Sequence, residues 1–556
     1  MSQDQPAGHG GAQAVAAAMK HGVTTMFTLS GGHVFPLYDG AVKASPPMPI
    51  IDVRHEQTAV FAAEATARLT RTPGLAVLTA GPGVTNGVSA VTTAHFNGSP
   101  LVVLAGRAPD GRWGSGSLQE LDHPPLLAPV TKRAGTVHAA AEVGATVDAA
   151  FALAGARHRG PVFVDASLEA LLGSANAAAD GQRSVLEPDP EARPDAHAVS
   201  QIGRLLAAAS RPVLVLGSDV WMDGAENSAT AAAEHFGLPV IANGQGRGIL
   251  PAGHPLLVTR ARAVALGEAD LVIVAGTPLD FRLGYGRFGG KNGTPPARVV
   301  HLADTADQLA RHCELAGSAA GDLSAVFAGL VDNAGPGAAG AWTEEWLPRL
   351  QHAAAQATSA DASLLHSDAT PIHPLRIYGE LAALLEPDAV VIGDGGDFVS
   401  YAGKYIEPRQ PGGWLDPGPY GCLGTGLGYA IAARIARPAS QVVLLLGDGA
   451  AGFSLMDVDT LVRHGLPVVM ICGNNGMWGL EKHPMQALYG YDVAADLQPG
   501  CRYDQVVTAL GGGGELVTQP PDIGPALRRA FESGVPYLVN VVTDPKDAYP
   551  RSTSGV

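Results

Sequence analysis

Short runs of β-branched and aliphatic residues, each followed by a glycine-rich turn and then a stretch of helical periodicity, recur along the whole chain. Apolar runs of this length with no polar alternation are what a strand buried on both faces requires, and their alternation with helices is the grammar of parallel α/β sheets. In the first third the runs TTMFTL (24–29), PIIDV (49–53), LAVLTA (75–80) and PLVVLAG (100–106) read as such strands. The middle third has PVLVLG (212–217), LPVIANG (238–244), DLVIVAG (270–276) and RVVHLAD (298–304). The last third has AVVIGDGG (389–396), QVVLLLGDG (441–449), PVVMICGNN (467–475) and PYLVNVVT (536–543). Polar, Pro- and Ala-rich stretches at about 173–196 and 331–345 interrupt the pattern and read as linkers. The expectation is three doubly wound α/β domains over residues 1–175, 195–332 and 360–556. Ligands of open parallel sheets bind beyond the carboxyl ends of the strands, so the residues after each run are the ones that carry chemistry.

Length and composition agree with this division. A chain of 556 residues exceeds what one core organises, and 46% hydrophobic against 16% charged residues describes a compact protein with extensive internal and subunit interfaces. The formal charge of −16 argues against nucleic acid or an anionic membrane as partner, and means that an anionic substrate needs a local basic pocket. Cys313, Cys422, Cys472 and Cys501 form no CxxC pair, and the first residues lack the basic and apolar parts of a signal peptide. No apolar run reaches membrane-spanning length, and the expected location is cytoplasmic.

The strongest chemical signal is Gly447-Asp448-Gly449 followed, after 24 residues, by Asn474-Asn475. QVVLLL is a strand ending at Asp448, MDVDTLVRHG a helix closed by Gly465, and PVVMICG the next strand. A right-handed βαβ unit brings both strand ends to one sheet edge, where Asp448 and Asn475 can share a hard cation through oxygen. Such a pair suits a Mg2+–diphosphate anchor, with Gly449, Ala450 and Ala451 small enough to leave backbone N–H groups open to a phosphate. A lone GDG is an ordinary turn and a lone NN an ordinary loop; the spacing is what makes the pair a signal.

This arrangement resembles the cofactor motif of the acetolactate synthase and pyruvate decarboxylase superfamily, which binds thiamine diphosphate (ThDP). The resemblance implies Mg2+ held by Asp448, Asn475 and the main-chain carbonyl of Met477, with cofactor contacts from Gly395, Gly396, Gly447, Gly449, Ala450 and Trp478. It identifies Glu56, in RHEQ after the second strand, as the acid that hydrogen-bonds the cofactor's aminopyrimidine ring and promotes removal of the thiazolium C2 proton; taken alone, Glu56 also reads as a favourable helix start. Further matching features are Gly32 and His33 after the first strand, Gly81 and Asn86 after the third, and Gln119 in SLQELDH; His33 and Gln119 join Glu56 as candidate catalytic residues. In GPYGCLGTGLGY, Leu423 falls where relatives place a bulky apolar residue that bends the cofactor into a V, although core filler is a competing role. Relatives build each site between two subunits, which implies a homodimer or homotetramer.

The choice of reaction rests on Gly476-Met477-Trp478-Gly479-Leu480-Glu481. Synthases of this superfamily read GMVRQWQ here, which puts Glu481 in place of the tryptophan that selects a second 2-ketoacid. A poorly screened carboxylate near the reacting carbon repels a 2-ketoacid, whereas it can take a proton from a 2-hydroxyl. The runs GPYGCLGTGLGY and GLEKHPMQALYGY resemble 2-hydroxyacyl-CoA lyases and a bacterial subgroup labelled acetolactate-synthase-like. The leading expectation is therefore an EC 4.1-class lyase that cleaves a 2-hydroxyacyl-CoA to formyl-CoA and an aldehyde or ketone, with Glu481 as acid and base. The alternatives are acetolactate synthase or another 2-ketoacid carboligase or decarboxylase, oxalyl-CoA decarboxylase included, and a non-catalytic protein of the same fold. Lys404, Arg409 and Arg551 are candidate partners for coenzyme A phosphates, although the arginine that decarboxylases place before LDAG is Trp414 here. The central domain resembles one that holds FAD or ADP, with Gly276, Asp280 and Arg282 matching its loop, but the family's first acid is Ala303 and Asp304 is displaced by one.

Overall fold

The computed structural model describes residues 8–174, 193–334, 339–547 and 549. The linker at 173–196 and the tail that holds Arg551 lie almost wholly outside them. The first sheet holds β1 (Met26–Thr28), β2 (Ile50–Asp52), β3 (Gly74–Leu78), β4 (Leu101–Arg107), β5 (Arg133–Val137) and β6 (Pro161–Ser167), in the order β2-β1-β3-β4-β6-β5. The second holds β7 (Pro212–Leu216), β8 (Val240–Ala242), β9 (Leu271–Ala275), β10 (Arg298–Ala303) and β11 (Gly317–Ala320), ordered β11-β10-β9-β7-β8. The third holds β12 (Val390–Asp394), β13 (Trp414–Leu415), β14 (Val442–Gly447), β15 (Val469–Asn474), β16 (Gly513–Val517) and β17 (Tyr537–Val542), ordered β13-β12-β14-β15-β17-β16. Pairing is parallel throughout, and β3, β4, β6, β7 and β9 are buried at every position, as the unbroken apolar runs require. All twelve runs became strands. The pattern had not singled out β5, β6, β11, β13 and β16; the fully buried β6 (PVFVDAS) carries the signal, whereas β13 is a two-residue edge strand.

Three sequence blocks do not give three separate cores. One continuous cluster runs from Phe27, Phe61 and Leu78 of the first region to Leu427, Leu444 and Met470 of the third, while the central region keeps a cluster of its own. The join is made by helix Glu56–Thr70 lying on helix Gly426–Ala436. Gly428 permits this approach, since a Cβ there would stand 2.7 Å from the Phe61 side chain and 3.0 Å from the Thr58 carbonyl. Inside the join, Glu64 is fully buried and accepts from Tyr429 Oη at 2.8 Å, Asn97 at 2.8 Å and Ser99 at 3.1 Å, with Arg68 3.7 Å away. A buried charge so fully hydrogen-bonded tolerates loss of a partner poorly, which ties the first and third regions into one body. Among the described residues no helix is long and apolar enough to cross a membrane.

Candidate active site

β14 ends at Gly447, and Asp448 opens helix Asp448–Ser454 with its side chain only 4% exposed. β15, hydrogen-bonded beside it with Gly447 opposite Gly473, ends at Asn474. Asp448 Oδ2 accepts the Gly476 N–H at 2.6 Å, and Asn475 Oδ1 accepts the Met477 N–H at 3.2 Å. The βαβ unit thus brings Asp448 and Asn475 into one cleft, as its spacing required, and they share that cleft with Met477. The intervening helix is shorter than expected, a 3-10 turn Leu455–Asp457 leading into Val458–Arg463, and Gly465 at φ 61° ends the turn after it. One expectation needs correcting: the Gly449 N–H is not open to a phosphate, because it donates to Asp448 Oδ1 at 2.8 Å.

The cleft is acidic. Its walls carry the carboxylates of Asp397, Asp448 and Glu481, and among the described residues no lysine or arginine lines it. Burial pushes the Asp448 carboxyl up to about 6 although Gly476 and Gly449 N–H groups pull the other way. A diphosphate placed here without a cation would be repelled. A hard cation bound by carboxylate and amide oxygen removes both penalties, so the donor set fits a Mg2+-bridged diphosphate. Gly395, Gly396 and Ala450 form apolar wall, and the Trp478 ring lies over Gly449, where a Cβ would stand 2.5 Å from it. Glu481 sits in the first turn of helix Gly479–Tyr489, exposed at the lip.

The first sheet assembles a second group at its strand ends. Glu56 opens helix Glu56–Thr70, capped by His55, and is 7% exposed, with Oε2 accepting Asn86 Nδ2 at 3.0 Å. Helix start and hydrogen-bonded acid therefore coexist in one residue. Thr79 links the group: His33 Nδ1 lies 3.3 Å from its hydroxyl, and a Cβ on Gly83 would touch both Thr79 and Glu56. Burial, then the nearby His123, lowers the pKa of His33, which favours the neutral ring. Gly81 at φ 58° packs against Gln119, itself at φ 60°, and the Gly81 N–H donates to buried His123 at 2.9 Å, whose other nitrogen lies 2.7 Å from Asp165. Open space surrounds Gly32.

Glu56 is not among the residues lining the Asp448 cleft of its own chain. The start of its helix is fixed instead to the segment after the Asp448 helix, where Asp457 accepts from the Arg54 N–H at 2.7 Å and Thr58 Oγ1 at 2.6 Å. Leu423 is half-buried and does not line the cleft either; it stands in a loop fastened to Asp394. Asp394, Asp397 and Asp457 are polar residues of the site that sequence reasoning passed over, although Asp394 lies in a second GDG, Gly393-Asp394-Gly395.

The structure also moves the coenzyme A candidates. Lys404 lies in the last turn of helix Asp397–Tyr405, seven residues or about 10 Å from Asp397 at the cleft. It pairs with Asp361 at 3.1 Å and lines, with Arg409 and Arg260, a separate cavity of about 320 Å³ beside the amino end of β12. Lys404 and Arg409 thus lie at the opposite end of the strand from the Asp448 cleft, and Arg551 lies outside the described residues. In the central sheet, the loops after β7 and β9 close on each other: the Asp219 N–H donates to the Gly276 carbonyl at 2.9 Å, and a Cβ on Gly276 would stand 2.7 Å from the Val220 nitrogen. Asp280 and Arg282 pair with each other at 2.7 Å. Asp219, Asp304 and His158 offer ligand atoms within 4.8 Å of one another, and burial, then Asp304 and Asp223, raises Asp219 to about 7.

Comparison with known proteins finds three domain models along the chain. Residues 9–126 match the model of the thiamine pyrophosphate enzyme N-terminal TPP binding domain, 199–330 that of the central domain and 394–541 that of the C-terminal TPP binding domain. A protein of Mycobacterium bovis described as a probable acetolactate synthase is 50% identical over 535 residues, covering 96% of this chain and 95% of its own length. The 2-hydroxyacyl-CoA lyase 2 of Caenorhabditis elegans is 35% identical over 549 residues (92% and 85% covered), and that of Homo sapiens 32% over 581 (96% and 90%).

Proposed function

Because this chain belongs to the thiamine-diphosphate enzymes, we propose that it joins two 2-ketoacids, as an acetolactate synthase does, in a site completed by a second copy of itself. The carrying observation is the end-to-end likeness, at 50% identity, to the mycobacterial protein described as a probable acetolactate synthase. The position of Glu481 agrees with it. The expectation of a lyase rested on repulsion between this carboxylate and a 2-ketoacid, and an exposed carboxylate at the lip is screened by water.

When bound, thiamine diphosphate supplies the electron sink that lets a bond next to a carbonyl break or form. Asp448, Asn475 and the Met477 carbonyl would hold a Mg2+ ion, whose charge would offset that of the diphosphate against the acidic wall. Glu56, kept in place by Asn86, would hold a proton toward the aminopyrimidine ring of a cofactor bound by a partner copy. His33, neutral beside Thr79, and Gln119, held against Gly81, face the incoming acceptor from the same sheet edge. What supports a second copy is that Glu56 does not line the cleft of its own chain, which a two-fold partner would complete.

Glu481 favours a second reading, cleavage of a 2-hydroxyacyl-CoA, because it is the acid at the mouth of the cleft able to accept a proton from a substrate 2-hydroxyl. The relatives named 2-hydroxyacyl-CoA lyase 2 support it at lower identity. Supplying the purified protein, with ThDP and Mg2+, either pyruvate or a 2-hydroxyacyl-CoA decides between them: acetolactate is expected, and formyl-CoA with no acetolactate overturns the first reading. Glu481→Gln sharpens the result. Acetolactate formation should change by less than about 3-fold, whereas a lyase would lose on the order of 100-fold, the usual share of a general acid–base group.

A further inference from the structure

Asp394, the last residue of β12, is fully buried and has no cationic partner among the described residues. Its Oδ1 accepts the Gly424 N–H at 3.1 Å and its Oδ2 the Gly426 N–H at 2.8 Å. Burial raises this carboxyl to about 6 despite those bonds. If the residue served stability alone, a neutral side chain would do as well without an unpaired buried charge. What the carboxylate does that an amide cannot is accept from two N–H groups of one loop, two residues apart, with two equivalent oxygens. Gly424, at φ 83°, is thereby fixed on one side. On its other side a Cβ would meet the Phe453 side chain at 2.6 Å and Gln57 Nε2 at 3.3 Å, the residue after Glu56. The loop that carries Leu423 is thus wedged between the acid of β12 and the start of the Glu56 helix, and the next residues of β12's own chain, Gly395 and Gly396, are cleft wall.

We propose that Asp394 is a positioning residue that locks the Leu423 loop to the wall of the diphosphate cleft, so that the cofactor's two rings are held bent over Leu423. The inference rests on the ThDP reading and on Leu423 as the platform, and holds for either reaction. Asp394→Asn keeps the shape but replaces one acceptor oxygen by a donor that faces an N–H. Hydrogen exchange on the cofactor-free protein should show the 423–427 amides about 10-fold less protected. A titration with ThDP and Mg2+ should give a Kd within about 3-fold of the parent, because Asp448 and Asn475 are untouched. Exchange of the C2 proton of the bound cofactor, followed by NMR, should slow by about 10- to 100-fold, the scale of a misplacement near 1 Å.

Leu423→Ala should slow C2 exchange similarly while leaving amide protection unchanged, and the double variant should be no slower than the worse single one. Should Asp394→Asn fold poorly, Asp394→Ser, which leaves one neutral acceptor, is expected to show the same pattern. Loss of protection with C2 exchange unchanged at saturating cofactor would make Asp394 a structural clamp only, and unchanged protection would remove the clamp itself; either overturns the proposal. An unmodified protein that binds no ThDP defeats the earlier reading instead, and a Leu423→Ala variant with normal C2 exchange defeats the platform.

Discussion

The chain uses the tripeptide Gly-Asp-Gly at the ends of two neighbouring strands, and the two aspartates have opposite fates. Asp394 lies opposite Leu446 in the β12–β14 register, two residues before Asp448. Both carboxyls are buried, both accept backbone N–H groups, and burial raises both to about 6. Asp448 opens a helix and faces a cleft it shares with Asn475; after Asp394 the backbone turns through Gly395 at φ 104°, and the acid lies under the neighbouring loop. A motif therefore states where an acid sits along a strand, and the next two backbone dihedrals decide whether it meets a ligand or its own chain.

The largest break in this pair is expected from Asp448→Asn. Loss of a charged metal ligand should lower turnover by about 1,000-fold or more and abolish Mg2+-dependent ThDP binding, measured by steady-state rates and a fluorescence titration. If Asp394→Asn abolishes binding as well, the two aspartates are not functionally distinct. Next in size are the glycines that follow each acid. Gly449→Ala puts a methyl 2.5 Å from the Trp478 ring and should weaken cofactor binding by about 10-fold, with partial recovery when Trp478→Leu is added. Gly395→Ala imposes a left-handed backbone on a residue with a Cβ and should cost about 1–3 kcal/mol of stability, read from denaturant unfolding.

A smaller effect is a pH dependence. Both aspartates have folded-state values above the ordinary carboxylate value, so the cofactor-free protein binds more protons than its unfolded chain between about 4 and 6 and loses stability as pH rises through that window. A cation on Asp448 restores its share, so the Tm gain from adding Mg2+ and ThDP should be greater at pH 7.5 than at pH 5; equal gains contradict the assignment. The smallest effect is expected at a third, half-buried acid with no place in the cleft. Asp219, raised to about 7, is a charged cost at pH 7.5, and Asp219→Asn should add about 1 kcal/mol of stability there without changing turnover.

What was legible in the sequence follows the same logic. Strand ends were readable because buried parallel strands leave unbroken apolar runs, and with them came Asp448, Asn475 and Glu56, each the first polar residue after a run or close to it. Side-chain direction was not. Lys404 and Arg409 follow the right strand, but Lys404 rides the helix, and Arg409 the loop after it, away from its carboxyl end, and the Gly449 N–H, free on paper, is held by its neighbour's carboxylate. Asp394 was hidden because its partners, two glycine amides some 30 residues on, leave no mark in residue type. The closed edge of the central sheet was hidden too, since glycines there serve contact between loops where the same residue elsewhere opens a cleft.

The apolar cluster that Phe61 and Leu427 share has a consequence for how the polypeptide comes apart. Its two ends, hundreds of residues distant along the chain, should melt as one calorimetric unit, with the central region free to melt separately. A protease cut in either linker should then leave fragments that stay together through gel filtration, so cleavage seen under denaturing conditions need not release any piece of the native particle.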